Sequence, residues 1–430
     1  MPIGPRFKRA AASALAALAT GAAGAQLLPQ LPEAGRVLDG VGEVGVDAIE
    51  TATRTADRLA VSARALAAER ANRLRTLVAA NPRALEMTDG GPAVRGEVIA
   101  IDPSPETVEA VRRAGFAVVA DEEIEGLGIR SVTLKAPDGM PLRRALALLR
   151  TMAPQGEFTA NHLHLPSEAP APAMPFAAGA ALALQGGGDG PAIGIIDGGV
   201  AAHPALAGPI EQRGFARGAP APSAHGTAVA SLAAGRGAIR GAAPGTRLLV
   251  ADVYGRDPAG GNARSLAQAL GWMTQRQVPV VAVSLVGPDN ALVRRAISQA
   301  RARGVHVVAA VGNDGAAAPP AYPASYPGVV AVTGVDGRNR ALLEAGRALH
   351  LDYAAPGADL AAATLSGGTR AVRGTSFAVP FVAARISRAL AAGRRPIPAL
   401  DAEAIDLPPR GPDRRHGRGL VCGDCRTRPG

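Results

Sequence analysis

The sequence predicts an α/β protein built on a doubly wound, mostly parallel sheet, preceded by a small α+β domain and a helical N-terminal segment. In the C-terminal half, apolar runs at 193–196, 278–285, 305–311 and 329–335 read as strands buried on both faces. They alternate with helical stretches at 227–234, 290–303 and 377–390, the order that makes a parallel sheet with crossover helices. In the N-terminal half, the elements of 94–165 follow the order β α β β α β, the split βαβ pattern. The chain has 430 residues, enough for two or three domains and a sizeable core.

Taken in order, residues 1–25 have the parts of an export signal. Arg6, Lys8 and Arg9 form a basic region, Ala10 to Ala19 a short apolar one, and Ala23-Gly24-Ala25 a cleavage site before Gln26. The run is too short to span a bilayer, and the alternative is an Ala-rich helix that stays on or anchors weakly. No other apolar run suits a membrane helix, so the mature chain is expected to be exported, periplasmic or secreted, without stable membrane insertion.

Residues 26–92 are expected to form a separate helical segment. Ile49, Ala52, Ala56, Leu59, Ala63 and Leu66 recur at spacings of three and four, one face of a helix, and this seam breaks at Arg70. A seam made mostly of Ala associates weakly, which favours a helix lying on its neighbour over a coiled-coil dimer. No chemistry follows from it.

Residues 93–165 carry the α+β pattern. Val94 to Ile101 is strand-like, Pro105 to Ala114 is helical behind a Ser104 cap, and Phe116 to Val119 and Ile129 to Leu134 are strand-like. Leu142 to Met152 is helical, and Glu157 to Leu165 is a last strand. His162 and His164 alternate on one face of that strand; exposed strand histidines are expected there rather than a metal pair, since no third ligand is evident. Residues 166–188, rich in Pro, Ala and Gly, form a linker in composition.

The formal net charge is +10, carried almost wholly by Arg, since Lys8 and Lys135 are the lysines. Without interleaved basic and aromatic stretches this reads as solvated surface, and nucleic acid is not expected as a partner.

Chemistry is concentrated in residues 189–421. Ile195-Ile196-Asp197-Gly198-Gly199-Val200, His225-Gly226-Thr227-Ala228-Val229-Ala230 and Gly374-Thr375-Ser376-Phe377-Ala378-Val379-Pro380 supply Asp, His and Ser in that order. A serine hydroxyl is a poor nucleophile until a histidine takes its proton, and the histidine needs a carboxylate to fix its tautomer. Singly, each has a plain reading: Asp197 as the polar stop of a strand, His225 as a helix-start residue, Thr375-Ser376 as an N-cap pair. Together, and in the order Asp, His, Ser, the segments resemble the subtilisin-like serine peptidases, the subtilases. Ala309-Ala310-Val311-Gly312-Asn313-Asp314-Gly315 is similar to the family's oxyanion segment, and the likeness runs from about 190 to 421.

The resemblance implies a subtilisin-like fold and a serine endopeptidase acting on polypeptides, with Asp197, His225 and Ser376 catalytic and no cofactor. Asn313 and the Ser376 N–H would form the oxyanion hole, and Ser284, Leu285, Val286 and Gly287 would pair with substrate. Position and layout make 93–165 look like the family's inhibitory propeptide, so the chain's own N-terminal region is an expected intramolecular inhibitor, with cleavage in the linker. Val286 stands where the family is normally bare, and its side chain either narrows the cleft or turns harmlessly inward. Phe377 and Phe381 replace the usual Met and His, which implies repacking. Gly235 to Pro244 is short and lacks Asn or Asp, so the family's calcium loop is not expected, nor any other metal. In the tail at 422–430, Cys422 and Cys425 suit a local disulfide; a reduced tail or pairing with another molecule is the alternative, and zinc would lack ligands. The other function class in play is a catalytically silent fold used as a binding or scaffold module; an esterase on the same constellation is also open.

Overall fold

The computed structural model describes residues 46–166 and 191–428, with side chains described from Ala63 onward. The signal-like segment 1–25 and the linker after Pro166 lie outside the described residues, as do the side chains of most of the Ala seam. The chain divides after Ala65 into two units. The described part of the first, from Val46, belongs to a helix, α1, Val46–Ala80; everything that follows concerns the second unit, from Leu66.

Helix α1 stops well short of residue 92. Asn81 precedes Pro82, and a residue before proline is disfavoured in the helical region; the Asn81 side chain donates to the Leu77 carbonyl at 2.9 Å and closes the helix end. Leu85–Thr88 is then a strand, β1, paired antiparallel with β2, Gly91–Ile101. The half-buried face of α1 also does not break at Arg70. Arg70 and Arg73 stay on that face, with Leu66, Leu77 and Val78, because both guanidinium groups pair there with one carboxylate.

The α+β region continues with α2, Pro105–Arg113, β3, Ala117–Ile124, β4, Ile129–Lys135, α3, Leu142–Met152, and β5, Glu157–His162. Ser104 caps α2 by accepting from the Thr107 N–H. Strand β2 pairs with β4 and with β5, and β4 with β3, all antiparallel. One face of this sheet is covered by its own helices, through Val98, Val132, Leu134 and Phe158 against Val111, Leu142 and Leu149.

A short strand, β6, Leu165–Pro166, leads to the linker. The larger region follows as β7, Ile193–Asp197, β8, Ile210–Gly214, α4, Ala224–Ala234, β9, Leu248–Asp252, α5, Ala263–Gln275, β10, Val280–Val283, β11, Leu285–Val286, α6, Ala291–Ala302, β12, His306–Ala310, and β13, Val330–Val335. After them come β14, Tyr353–Pro356, β15, Ala358–Ala363, β16, Thr369–Arg373, α7, Val379–Ala391, and α8, Pro396–Glu403. Seven strands form a wholly parallel sheet in the order β14-β13-β12-β10-β7-β9-β8. Helices α4 and α7 bury one face of it, through Val229, Leu232, Phe381 and Val382; α5 and α6 bury the other, through Leu266, Leu270, Leu292 and Ile297. No helix among the described residues is long and apolar enough to cross a membrane.

The second face of the small antiparallel sheet has no helices of its own. Ile99, Ile101, Ile124, Leu127 and Ile129 instead join the core formed by α5 and α6. Polar contacts edge this seam: Glu122 accepts from Arg264 and Gln268, and the Asn290 amide donates to Thr159 Oγ1 and the Ala160 carbonyl at 3.1 and 2.9 Å. Ile129→Ala removes a fully buried side chain from this shared core, and is expected to lower the stability of the full chain by about 2–5 kcal/mol in urea denaturation.

Candidate active site

Asp197 ends β7, at the place where the chain turns from one side of the sheet to the other. Strand β7 lies between β9 and β10, and open α/β sheets collect their ligands outside such a point. The carboxylate is buried and its Oδ1 accepts from the Gly198 N–H at 2.7 Å. Helix α4 brings up the histidine. Ser223 caps it, accepting from the Gly226 N–H at 2.9 Å, so the helix starts at Ala224 and not after His225 as the apolar pattern suggests. The first turn lies so close to the β7 loop that a Cβ at Gly226 would collide with the Gly198 carbonyl, and glycine is what permits the approach.

That approach builds a hydrogen-bonded line. His225 Nδ1 lies 2.8 Å from Asp197 Oδ2 and 3.0 Å from Oδ1, and Nε2 lies 2.9 Å from Ser376 Oγ. Since a carboxylate only accepts, the proton belongs on Nδ1 and the Nε2 lone pair faces the serine hydroxyl. The Phe377 ring packs tilted against the imidazole at a centroid distance of 5.3 Å.

Ser376 sits in a single 3₁₀ turn, Thr375–Phe377, and the α-helix proper begins only at Val379, two residues later than the sequence pattern suggests. Gly374 before it has φ +149°, and a side chain there would come within 2.7 Å of Asn313 Nδ2. Asn313 Oδ1 accepts from the Thr375 N–H at 2.9 Å, which turns the amide nitrogen toward the Gly374–Ser376 side. Ser284 Oγ donates to the Ser376 carbonyl at 3.0 Å and ties the neighbouring strand to the same turn.

A cleft beside this line is filled by the chain itself. Strand β6 pairs antiparallel with β11, Leu165 opposite Val286 and Pro166 opposite Leu285. On the other side, Leu163 bridges Asn262, the His164 N–H donates to the Gly261 carbonyl at 2.7 Å, and the Tyr254 hydroxyl donates to the His164 carbonyl at 2.9 Å. Residues 163–166 thus form the middle strand between 261–262 and 285–286. Val286 turns its methyls toward Gly312, 3.4 Å from where a Cβ would stand, and Gly287 must be bare because a Cβ would meet the His164 ring at 2.6 Å.

The expectation of exposed histidines on this strand is therefore wrong. His164 is fully buried, and its ring nitrogens have no hydrogen-bond partner among the described residues. Burial pushes it down to about 3, with nearby His162 adding repulsion and the His162 and Pro288 backbones pulling weakly the other way. His162, between Thr88 and Asn290, is pushed down to about 4 by burial, against a small opposing pull from Asp289. The last residues of this segment leave the sheet and enter the cleft.

Two residues of the site escaped the sequence reading. Asp252 ends β9 in register with Asp197 and accepts from the N–H groups of Ala221, Tyr254 and Gly255 at 2.7, 2.9 and 2.9 Å. Burial raises its pKa, and those N–H groups oppose the rise. Its signal was available, an apolar run Leu248 to Ala251 closed by Asp just as in β7. Asn290 caps α6 and reaches back to β5, which no local pattern encodes. Among the described residues, the His, Cys, Asp and Glu group able to converge on a metal is Cys422, Asp424 and Cys425, but the two sulfurs are joined in a disulfide and are not thiolate ligands.

A sequence model of the subtilase family matches residues 188–400. Subtilisin BL from Lederbergia lenta is 35% identical over 207 residues, 46% of this chain and 74% of its own length. Minor extracellular protease Epr from Bacillus subtilis is 28% identical over 242 residues, 53% of this chain and 37% of its own. Fervidolysin from Fervidobacterium pennivorans, a keratinolytic enzyme related to subtilisin, shares the fold with a TM-score of 0.63 at 19% identity, over 80% of this chain and 62% of that one.

The two depressed histidines set a pH dependence. In the seated strand both rings are neutral, whereas a released strand would protonate them near pH 6.5, so the released state binds more protons and acid favours it. Amide protection of residues 157–166 is expected to hold above pH 6.5 and to fall as the pH drops below it, the His162 contribution levelling off near 4 and the His164 contribution near 3, by roughly tenfold or more per histidine at about pH 5. Hydrogen exchange of the full chain, corrected for the intrinsic rate, measures it.

Proposed function

Because the chain belongs to the subtilase family of serine peptidases, we propose that it is an exported endopeptidase working through Asp197, His225 and Ser376. The observation that carries this reading is the line of hydrogen bonds from Asp197 through His225 to Ser376 Oγ. In the reaction, Ser376 Oγ attacks the scissile carbonyl while His225 Nε2 takes its proton, and buried Asp197 holds the imidazole's tautomer and stabilises the imidazolium. The oxyanion is met by the Asn313 amide and the Ser376 N–H. His225 then gives the proton to the leaving amine, and water hydrolyses the acyl-enzyme by the same steps. Substrate backbone takes the place of residues 163–166 between 261–262 and 285–286, and Val286 beside Gly312 narrows the cleft toward slim side chains.

Residues 93–165 act as inhibitor and folding partner. Their sheet has one face without helices of its own, which the catalytic region covers, and their last strand lies where substrate would. Export rests on the signal-like segment at 1–25, and an exported peptidase needs restraint until it arrives.

A fluorophosphonate probe should label the processed enzyme at Ser376, and Ser376→Ala should remove labelling and lower peptide turnover by about four to six orders of magnitude, the scale known for subtilisin. Substantial turnover by purified Ser376→Ala protein would sink the assignment, and a wild-type protein that neither labels nor cuts would mark a scaffold. Asn313→Ala should leave KM nearly unchanged and reduce kcat by about a hundred- to a thousandfold. A raised KM with kcat intact would make Asn313 a turn residue.

A further inference from the structure

Helix α1 lies beyond any part the proposed reaction uses, yet its last turns touch both sides of the filled cleft. Arg70 Nε lies 2.8 Å from Asp314 Oδ2 and Arg73 Nη2 lies 2.6 Å from Asp314 Oδ1. Asp314 directly follows Asn313, and its side chain is 15% exposed. Farther along the helix, Leu77 and Val78 pack on a cluster of Leu85, Leu163 and Ala259. Leu163 belongs to the segment seated in the cleft, and Ala259 to the loop that leads into Gly261 and Asn262.

The spacing fits a crossing. From the loop of Asn313 the order is β11, the seated segment, then the 261–262 strand, and neighbouring strands are about 4.8 Å apart. Seven residues of helix, Arg70 to Leu77, advance about 10 Å, roughly two such spacings.

We propose that Leu66–Ala80 is a strap over the occupied cleft, latched by Arg70 and Arg73 on Asp314 and seated by Leu77 and Val78 on Leu163. The proposal rests on the reading of 93–165 as inhibitor and adds a second restraint to it. While the latch holds, residue 163 cannot lift without breaking the apolar contact, and the loop carrying Asn313 is tied to the segment that must leave. Two guanidinium groups on one carboxylate, partly shielded from solvent, are screened by salt less than an exposed pair but are still released by it.

The test follows fluorophosphonate labelling of the full-length band over time, in the wild-type chain and in Arg70→Ala/Arg73→Ala and Arg70→Lys/Arg73→Lys chains. All three yield the same enzyme once cut after residue 166, so equal final activity reports equal folding. The alanine chain is expected to label roughly five- to thirtyfold faster than wild type, the lysine chain in between. Raising salt from about 50 mM to about 500 mM should speed the wild type by a larger factor than the alanine chain, which keeps only the ion pairs of the docking seam such as Arg264 with Glu122. If the alanine chain does not fold, the salt response of the wild type and the lysine chain decide alone. A latent wild type matched by equally latent variants, without a salt response, overturns the strap and leaves the inhibitor reading standing. A wild-type precursor that labels as fast as processed enzyme overturns the inhibitor reading and the strap with it.

Discussion

The contact on which the site depends is backbone against backbone, the first turn of α4 against the loop after β7. Gly226 faces the Gly198 carbonyl with no room for a methyl group between them. Only at that separation do the imidazole of His225 and the carboxylate of Asp197 come within hydrogen-bond distance, and only then does Nε2 point at Ser376. Gly374 repeats the device on the serine's side, where its missing Cβ lets the Asn313 amide stand beside the turn. The polar groups are positioned by glycines, and the apolar packing of α4 and α7 on the sheet keeps both turns in place.

The same sheet explains why the N-terminal region is seated as it is. A small antiparallel sheet with helices on one face must bury the other, and α5 and α6 offer an apolar surface whose remaining side is already committed to the parallel sheet. Docking the two satisfies both. It also aims the chain: β5 runs off the docked sheet toward the cleft, so the residues that follow arrive between two strands with unpaired backbone groups. Their hydrogen bonds are backbone to backbone, which makes the seat tolerant of side chains except where Gly287 and Val286 shape it.

Charge is handled in two ways within a short distance. Asp197 and Asp252 lie side by side at the ends of neighbouring strands, an arrangement that would repel if both were bare; Asp252 is surrounded by three backbone N–H groups and Asp197 by Gly198 and His225. Asp314, on the rim, is held by two arginines from a distant part of the chain. The first set lies wholly within the catalytic region; the second joins that region to α1.

Much of the catalytic half was legible in the sequence, because its signals are local. An apolar run closed by Asp marks the end of a buried strand, Asp, His and Ser segments in that order mark the residues that carry chemistry, and alternating runs of strand and helix type allow one sheet class. The β α β β α β order was legible for the same reason. What the sequence could not decide depended on partners far along the chain. A strand whose last residues leave their sheet reads as one with exposed histidines, since burial of His164 is conferred by Gly261, Tyr254 and Gly287. An arginine in an apolar seam reads as the seam's end, since Asp314, which keeps Arg70 on the buried face, lies 244 positions away. The sequence by itself determined which elements form and which residue types carry chemistry, because those follow from short-range periodicity and backbone sterics. The tertiary structure alone decided which charges are neutralised and which cleft is filled, because burial and pairing belong to whatever surface a residue meets after folding.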